Sequence, residues 1–567
     1  MKRILVVASW TLAAALSACS GAGLDEGADF SAASDAGAAG LPDCFSSNEC
    51  PTGWTCSDFG SCVPPAPGMP DGGPDDPVEV EVELSPPTHS ERYVYVAMSE
   101  LDSLARIDGM SLEVSSIPVG DQPEVLEAIP NSDGVVVLDR NNGTVSIVRP
   151  SGENDDTRVV PTLPNMNRLS VDPSGSFALV WFDLRKAALD AGGLAGVGQI
   201  GSFQDVTVIR LQQDSERSVD LTVGFRPREI EFDAAGNRAF VVTDDGISVI
   251  DLAAVIDAGP AIVAPIPISE ASSGDPLDME VNVVASGEFA VVRERLQSEL
   301  RVVRMQGPNL GQMVSLALPG EPTDVDLAHD GSRAYAVIRE TSDLAIVEIG
   351  SELPSADDLS LVSLTGETVG SLVLSPSGDQ AVLFTNASAV ESLTVVELEP
   401  AIPTWRSYGL RKSVRSLGYD PTGQMLIVTH AKSFGDPLEN GLDFEEFINR
   451  SYGYSIFDVS TGFDKLEITP VDPGAFSFST TTPRAYVLLD GGDSDGAMAE
   501  THIIELDSGV VRVQHMSSPP ETVGILPEAG MAFINQRHPL GRISFIDVAT
   551  DAMRTVTGFD LNSRIVD

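Results

Sequence analysis

A pattern that recurs about every 45 residues constrains this chain more than any other feature of its sequence. From about Val78 to Asp567, each unit contains four short runs of alternating apolar residues with turns between them. Such alternation is typical of half-buried β-strands and excludes a helical solenoid. Four strands per repeat, arranged around a ring, is the pattern of a β-propeller. The sequence therefore predicts an all-β domain of four-stranded blades over residues 78–567.

The turn after the first strand marks each unit. The first residue of this four-residue turn is often Asp or Ser, the second is often Pro and the fourth is Gly, as in Asp172-Pro-Ser-Gly175 and Ser375-Pro-Ser-Gly378. That order suits a type I turn. The third strand often ends in Asp, as at Asp251, and the fourth leads into a Gly-x-x-Pro bend. Together these features resemble the YVTN-type propeller repeat of bacterial surface and lactonase-like proteins, and the resemblance implies the fold.

Counting these turns gives ten units. They lie near Pro86, Gly134, Gly175, Gly236, Gly287, Gly331, Gly378, Gly423, Pro483 and Gly530. Propellers commonly have about four to eight blades, so seven or eight blades, or two smaller rings, compete with a single ring of ten. We favour one ring. Either Val78–Leu84 or Ser563–Asp567 could supply the innermost strand of the first blade.

The N-terminus has the layout of an export signal. Lys2 and Arg3 precede an apolar run from Ile4 to Leu16, which is shorter than the ~20 residues needed to span a bilayer. The next residues complete Leu16-Ser-Ala-Cys19, which resembles the lipobox of bacterial lipoproteins. The resemblance implies that residues 1–18 are removed and that Cys19 carries the lipid. By analogy with that family, Ser20 favours the outer membrane, with the protein facing the periplasm or the surface.

Three segments separate Cys19 from the predicted propeller. Residues 19–43 are mostly Gly, Ala, Ser and Asp and predict a disordered tether, and the proline-rich residues 64–77 predict a semi-extended spacer. Residues 44–63 predict a small disulfide-stapled module, because an exported chain with four closely spaced cysteines favours two disulfides over a zinc site, whose ligand pairs are usually closer. Three pairings remain open. The cysteines are Cys44, Cys50, Cys56 and Cys62.

The charge of the chain excludes two classes of partner. With 34 Lys+Arg and 84 Asp+Glu, the formal net charge is -50. Such a surface repels nucleic acid and anionic lipid headgroups, so we expect no nucleic-acid partner and attachment to the membrane through the lipid alone. The excess of acidic residues has two possible roles: it keeps the protein soluble or tolerant of salt, or it binds a specific cationic partner.

Three long insertions fall between the second and third strands of their units. They span Leu184 to Gln204 in unit 3, Ala431 to Ser451 in unit 8 and Asp490 to Glu500 in unit 9. In an up-and-down blade these loops share one face of the ring, where long insertions either form a binding surface or reflect tolerated loop growth. In a ring of ten, units 3 and 8 would lie opposite each other.

The second insertion predicts a short helix. Asp443 and Glu446 have the spacing of a capping box. The helix would place Phe444, Phe447 and Ile448 on one face. This apolar face either packs back on the propeller rim or serves as an exposed anchor for a partner.

The third insertion contains the only candidate for a bound cofactor. Asp490, Asp493 and Asp495 lie among glycines, and clustered carboxylates are the ligands that calcium prefers. The spacing does not match the helix–loop–helix calcium consensus, so a flexible acidic turn is the alternative.

No catalytic motif stands out. The chain contains neither H-E-x-x-H nor G-x-S-x-G, so the sequence assigns no catalytic residue. We therefore expect a non-enzymatic binding or scaffold protein of the cell envelope, with an envelope protein or glycan as its partner. A lactonase-like or other hydrolase that uses the propeller channel, possibly with a metal, is the alternative.

Overall fold

The computed structural model describes residues 55–56, 62–63, 88–151, 155–268, 279–399, 402–489 and 499–558. Within these ranges ten sheets follow one another along the chain, each with antiparallel pairing between consecutive strands, and a separate two-stranded hairpin precedes them. The ten sheets are the blades of a single ring, so the predicted count is confirmed. The alternatives of seven or eight blades and of two rings are wrong.

The first five blades occupy residues 88–317. Their named strands, in chain order, are Tyr93–Met98, Ser103–Asp108 and Val114–Pro118 in blade 1; Pro123–Ala128, Val135–Asp139, Thr144–Arg149 and Asp156–Pro161 in blade 2; Arg168–Val171, Phe177–Trp181, Asp205–Arg210 and Arg217–Thr222 in blade 3; Glu229–Phe232, Arg238–Thr243 and Gly246–Asp251 in blade 4; and Met279–Val283, Phe289–Glu294, Glu299–Arg304 and Met313–Ala317 in blade 5.

The other five blades occupy residues 324–557. Their strands are Asp324–Leu327, Arg333–Ile338, Asp343–Glu348 and Leu359–Ser363 in blade 6; Ser371–Leu374, Gln380–Phe384, Ser392–Glu397 and Thr404–Gly409 in blade 7; Val414–Tyr419, Met425–His430, Tyr452–Asp458 and Phe463–Thr469 in blade 8; Pro473–Phe478, Arg484–Leu489, Glu500–Glu505 and Val510–His515 in blade 9; and Pro520–Leu526, Met531–Gln536, Arg542–Asp547 and Met553–Thr557 in blade 10.

Blades 1 and 4 depart from four regular strands. In each, an isolated bridge takes the missing position: His89 pairs with Val94 in blade 1, and Ile266 pairs with Ile247 in blade 4. Before that bridge, the chain of blade 4 forms helix α2 (Leu252–Ala258) and then the strand Ala261–Ile262. This strand pairs in parallel with the outer strand of blade 3, an exchange between neighbouring blades that the sequence did not predict.

Only two other α-helices occur in the described ranges, α1 (Leu184–Asp190) and α3 (Phe444–Arg450). None of the described helices is long and apolar enough to cross a membrane.

The turns after the first strands form as predicted in nine of the ten units. Asp172 shows the reason, because its carboxylate accepts hydrogen bonds from the backbone N–H groups of Ser174, Ser176 and Phe177. Gly175 adopts a φ of 72°, in the left-handed region that favours glycine. In blade 1 the turn lies between Ser90 and Tyr93, later than the predicted Pro86, which lies outside the described residues.

Packing closes the ring between blade 10 and blade 1. Val94 and Ile107 of blade 1 share an apolar cluster with Leu526 and Phe533 of blade 10. The N–H of Glu528 also donates to the carbonyl of Glu91. Both segments that could supply an innermost strand, Val78–Leu84 and Ser563–Asp567, lie outside the described residues.

Side chains from one blade also bond to the innermost strand of the next. Thr88 donates to the carbonyl of Leu126, Asn282 to that of Val325 and Asn386 to that of Arg415. These bonds join neighbouring blades near the channel.

A hydrogen-bonding side chain recurs near the start of the third strand. In blade 2, Ser146 donates to the carboxylate of Asp139 at 2.8 Å and accepts from the N–H of Gly120 at 3.1 Å. Equivalent side chains bond to a neighbouring strand or link in five other blades: Thr207, Ser248, Arg301, Ser455 and Ser544. The repeat therefore contains a buried polar position with a structural role in most blades.

Candidate functional site

The candidate site is the face of the ring that carries the loops between second and third strands and the links between blades. The three predicted insertions lie in those loops, after Trp181, His430 and Leu489. We name residues 184–204 arm 3 and residues 431–451 arm 8, and we call this side the insertion face. Because four blades lie between blades 3 and 8 in either direction around the ring, the two arms lie on opposite sides of the channel.

Arm 8 contains the helix that the capping box predicted. The carboxylate of Asp443 accepts from the N–H of Glu446 at 2.8 Å, and the carboxylate of Glu446 accepts from the N–H of Asp443 at 3.1 Å. Arg450 in the last turn of α3 donates to Glu439 at 2.5 Å. The helix is therefore bonded at both ends to residues of its own arm.

A buried lysine attaches arm 8 to the propeller. Only 1% of Lys412 is exposed, and its Nζ donates to the carbonyls of Ile448 at 2.7 Å and Asn449 at 3.1 Å. These carbonyls lie at the C-terminal end of α3, where a positive charge is favourable. Burial lowers the pKa of Lys412 to about 8, although the nearby Glu391 raises it.

His430, which ends the second strand of blade 8, is structural. Its Nδ1 lies 3.2 Å from the carbonyl of Ser413, and its Nε2 lies 2.8 Å from the Oγ of Ser455. Burial lowers its pKa to about 3, so the ring is neutral at physiological pH. It is the hydrogen-bond partner of Ser455, which occupies the recurring polar position in blade 8.

The three predicted partner-binding residues of arm 8 separate into two groups. Phe444 is 74% exposed and projects from α3. Phe447 and Ile448 are half-buried. A second large apolar side chain of the same arm, Leu438, is 80% exposed. The apolar surface of arm 8 therefore consists of Leu438 and Phe444.

Arm 3 is attached mainly through apolar contacts. The rings of Phe182, Phe203 and Phe225 form a continuous series, with centroid distances of 5.8 Å and 6.0 Å. Phe182 is buried, whereas Phe225 is partly exposed beside the arm. At the start of α1, Asp183 accepts from the N–H of Arg185 at 2.8 Å. The sequence identified arm 3 as an insertion but did not predict this helix.

Among the described residues, the loops and links of the insertion face expose more large apolar side chains than the loops of the opposite face, and strands at the outer edges of the blades expose eight more. Those of the insertion face are Leu189, Leu194, Ile200, Phe225, Leu296, Leu438, Phe444 and Leu540. The loops of the opposite face expose three: Met110, Leu310 and Ile402. Scattered single residues are normal on a soluble surface, whereas a concentration on one face indicates an interaction surface.

The innermost strands of blades 4 to 6 carry a group of acidic side chains, which is the second feature that could serve a function. Their alternate residues are carboxylic acids: Glu229, Glu231, Glu280, Asp324 and Asp326. Burial, with a contribution from the charge of Glu280, raises the pKa of Asp326 to about 7. Burial and the neighbouring Glu229 also raise the pKa of Glu231. This pattern of period two was available in the sequence but was not singled out.

Bonds to neighbouring residues occupy several of these acids. Asp324 accepts from the N–H of Leu372 in blade 7 at 2.7 Å, so it connects two blades. Glu280 accepts from Arg293 at 2.5 Å and from Asn282 at 3.0 Å. Across the described ranges, no group of three or more His, Cys, Asp or Glu side chains could hold a metal ion.

Several predicted sites lie outside the described residues. They include Cys19, Cys44, Cys50 and the calcium candidates Asp490, Asp493 and Asp495. Cys56 and Cys62 occupy facing positions in the two-stranded hairpin, and nothing is described of their side chains. Lipidation, disulfides and calcium therefore stay predictions.

Comparison with known proteins does not assign this chain to a family. No protein-family model matches the chain. No curated protein matches it either.

Three solved structures show distant likeness. Dihydro-heme d1 dehydrogenase NirN in complex with DHE is 12% identical, with a TM-score of 0.37 over 88% of this chain and 84% of that one. A eukaryotic initiation factor is 10% identical, with a TM-score of 0.46 over 75% and 96%. Kluyveromyces lactis Hsv2p is 10% identical, with a TM-score of 0.34 over 62% and 97%. These values carry no conclusion about function.

Proposed function

We propose that this protein is a non-enzymatic binding or scaffold module of the cell envelope, and that its insertion face binds an envelope protein or glycan. The observation that carries the proposal is that the loops and links of that face expose more large apolar side chains than the loops of the opposite face, several of them on arms that are bonded to or packed against the ring. Exposed aliphatic and aromatic residues such as Leu438 and Phe444 favour a protein over a glycan, because they stabilise contacts through apolar burial.

The N-terminal features support a location for this activity. A lipid on Cys19 would attach the protein to a membrane, with the outer membrane favoured, and residues 19–77 would hold the propeller away from it. One acyl chain binds a bilayer only weakly, so stable attachment needs several chains, as the lipoprotein resemblance implies.

Paired substitutions on the two faces test the proposal. Leu438→Ser with Phe444→Ser should reduce capture of envelope components in a quantitative pull-down, because the exposed apolar surface of arm 8 is lost. The matched control is Leu310→Ser with Ile402→Ser, which removes two exposed apolar side chains from the opposite face and should leave capture unchanged. Equal capture by wild type and both variants would rule out arm 8 as a binding surface.

A hydrolase that uses the channel is the second candidate. The observation in its favour is Asp326, whose pKa of about 7 suits a general acid at neutral pH. Purified protein should then hydrolyse members of a panel of lactones and glycosides, and Asp326→Asn should abolish turnover while the fold is retained. Metal analysis of the same preparation would detect a cofactor. Absence of turnover on the whole panel would leave the binding function as the better account.

A further inference from the structure

Blade 1 differs from the other blades at its inner edge. Each of the other nine blades contains an innermost strand of four to seven residues, whereas the described part of blade 1 contains only the bridge between His89 and Val94. Among the described residues, the inner edge of the strand Tyr93–Met98 is therefore mostly unpaired. An unpaired strand edge is a template for a further strand.

Backbone bonds show which groups of this edge need a partner. The carbonyl of Tyr93 accepts from the N–H of Ser90. The N–H of Tyr95 donates to the carbonyl of Thr88. Because the backbone groups of alternate residues in a strand point to the same side, those of Ala97 also point to the inner edge. Neither the N–H nor the carbonyl of Ala97 bonds to a described residue there, and an added strand would satisfy both.

A hydroxyl group of blade 10 points to the same edge. Gly524 lies against blade 1, because a methyl group on its Cα would lie 3.2 Å from the Nε2 of His89. Thr522 is two residues away in the same strand, so its side chain also faces blade 1. Its Oγ1 is buried and has no hydrogen-bond partner in the part of the chain that the structure describes. In blade 1 itself, Thr88 donates to the carbonyl of Leu126 in the innermost strand of the next blade. The same bond from Thr522 requires a carbonyl in the innermost strand of blade 1.

The chain after blade 10 leaves the described residues at a suitable place. The N–H of Gly558 donates at 3.0 Å to the carbonyl of Gly541, which lies in a loop of the insertion face. Links to the innermost strands start on that face, and eight of the nine links between blades contain three to seven residues. Residues 558–562 would form a link of five, so that Ser563–Asp567 reaches the inner edge of blade 1.

The link before blade 4 has the same sequence spacing. It contains Gly224-Phe225, and the innermost strand Glu229–Phe232 begins five residues after Gly224 and ends just before Asp233 of the turn. Residues 558–567 repeat this order, since Gly558-Phe559 precedes Ser563 by the same spacing and Asp567 occupies the position of Asp233. The comparison indicates that Ser563–Asp567 corresponds to an innermost strand.

The chain before Thr88 is a poorer partner for the same edge. Since Thr88 pairs with Tyr95, a continuation in that register would bring Pro86 opposite Ala97. Proline has no N–H, so it could not donate to the carbonyl of Ala97. Val78–Leu84 would lie past the end of the strand Tyr93–Met98.

We propose that Ser563–Asp567 is the innermost strand of blade 1, bonded to the inner edge of Tyr93–Met98, and that one of its carbonyls accepts from the hydroxyl of Thr522. The segment thereby adds backbone hydrogen bonds to a junction between blades 10 and 1 that is otherwise mainly apolar packing. The inference is independent of the proposed function, because it concerns the wall of the channel and not the arms.

Site-specific photocrosslinking of the full-length protein tests the pairing. A diazirine amino acid replaces Ile565, and mass spectrometry locates the products. We expect cross-links within one molecule, to residues 95–98 of blade 1 or to Thr522. The matched control carries the same amino acid at Val80, in the other segment that could fill this edge, and should give no cross-link to residues 95–98.

Hydrogen exchange at the amide of Ala97 tests the bonds themselves. Arg564→Pro and Ile565→Pro are compared singly, because the N–H groups of adjacent strand residues point to opposite edges. One of the two should accelerate exchange about tenfold through loss of a backbone bond, and the other should change it less. Thr522→Val should accelerate it about threefold, because its hydroxyl no longer bonds to the segment. Val80→Pro is the control and should have no effect, and circular dichroism should confirm the fold of every variant.

Four results would overturn the inference. They are cross-links from Ile565 only between molecules, which would mean that a second copy fills the edge; cross-links from Val80 to residues 95–98; rapid exchange at Ala97 in the wild type; and unchanged exchange in both proline variants. None of them depends on capture of an envelope partner, so the proposed function would stand or fall separately.

Discussion

Arms 3 and 8 occupy equivalent loops on opposite blades, yet they are attached to the ring by different interactions. Arm 3 is held by aromatic rings in edge-to-face and tilted contact that continue the apolar core outward. Arm 8 is held by one buried ammonium group that bonds to the end of its helix. The comparison shows that the repeat specifies where a loop can grow, whereas each insertion must supply its own attachment.

The largest effect should come from the aromatic attachment of arm 3. Phe203→Ala removes the ring between Phe182 and Phe225. Because Phe203 is only partly buried, the change should cost about 2–3 kcal/mol, somewhat less than the ~3–5 kcal/mol of a core position. Hydrogen exchange should show lost protection in residues 184–204 and unchanged protection in arm 8. Phe463→Ala, at an exposed outer-strand position, is the control and should change neither arm.

The corresponding change in arm 8 is Lys412→Met. It removes the buried ammonium donor of the carbonyls of Ile448 and Asn449, which keep only the N–H groups of Ser451 and Ser433, at a cost of about 2 kcal/mol for buried charged hydrogen bonds. Proteolysis within residues 431–451 should accelerate while the ring stays folded. Lys186→Met, which removes the partly exposed lysine of arm 3, should have no such effect. Unchanged proteolysis of Lys412→Met would show that arm 8 is attached by other contacts.

The arms should also differ in their response to alkaline pH. The pKa of Lys412 is about 8 in the closed arm and rises toward the ordinary value of 10.5 when the arm opens. The open state therefore binds more protons between these values, so the closed state gains stability as pH rises through 8, by at most ~1.4 kcal/mol per pH unit. Protection of arm 8, corrected for intrinsic exchange rates, should increase over this range, and Lys412→Met should abolish the increase.

The smallest predicted effect concerns the helix caps. Asp443→Ala removes the N-cap of α3 and should cost about 1 kcal/mol of local stability. Asp443→Asn retains an acceptor and should restore most of it, as measured by exchange in residues 444–450. An equal loss in both variants would point to the charge of Asp443 and not to its cap.

Local spacing explains what the sequence predicted correctly. Asp172 and Gly175 define a turn within four residues, and Asp443 and Glu446 define a cap within one helical turn, so both signals are contained in short windows. Counting such turns gave the number of blades. Helix α2 had a comparable signal, with Asp251 as its N-cap and Gly259 at its end, and was missed because it follows a strand without a break.

Interactions between distant residues explain what the sequence did not predict. Lys412 and Ile448 are 36 residues apart, and no local pattern indicates that the lysine is buried beneath the helix. The pairing of Ala261–Ile262 with blade 3 likewise depends on how two blades meet. The sequence did not distinguish the exposed Phe444 from the half-buried Phe447 for the same reason, because the helical face indicates the direction of both side chains but not what lies beneath them.

Footprinting of the captured complex tests the central claim most directly. Hydroxyl-radical labelling of the full-length protein, with and without its envelope partner, reports the protection of each exposed apolar side chain. The account predicts protection of Leu194 and Ile200 in arm 3 and of Leu438 and Phe444 in arm 8, with Ile402 on the opposite face labelled equally in both states. Protection of Ile402, or of the outer strands alone, with both arms unprotected would contradict the assignment of the insertion face as the binding surface.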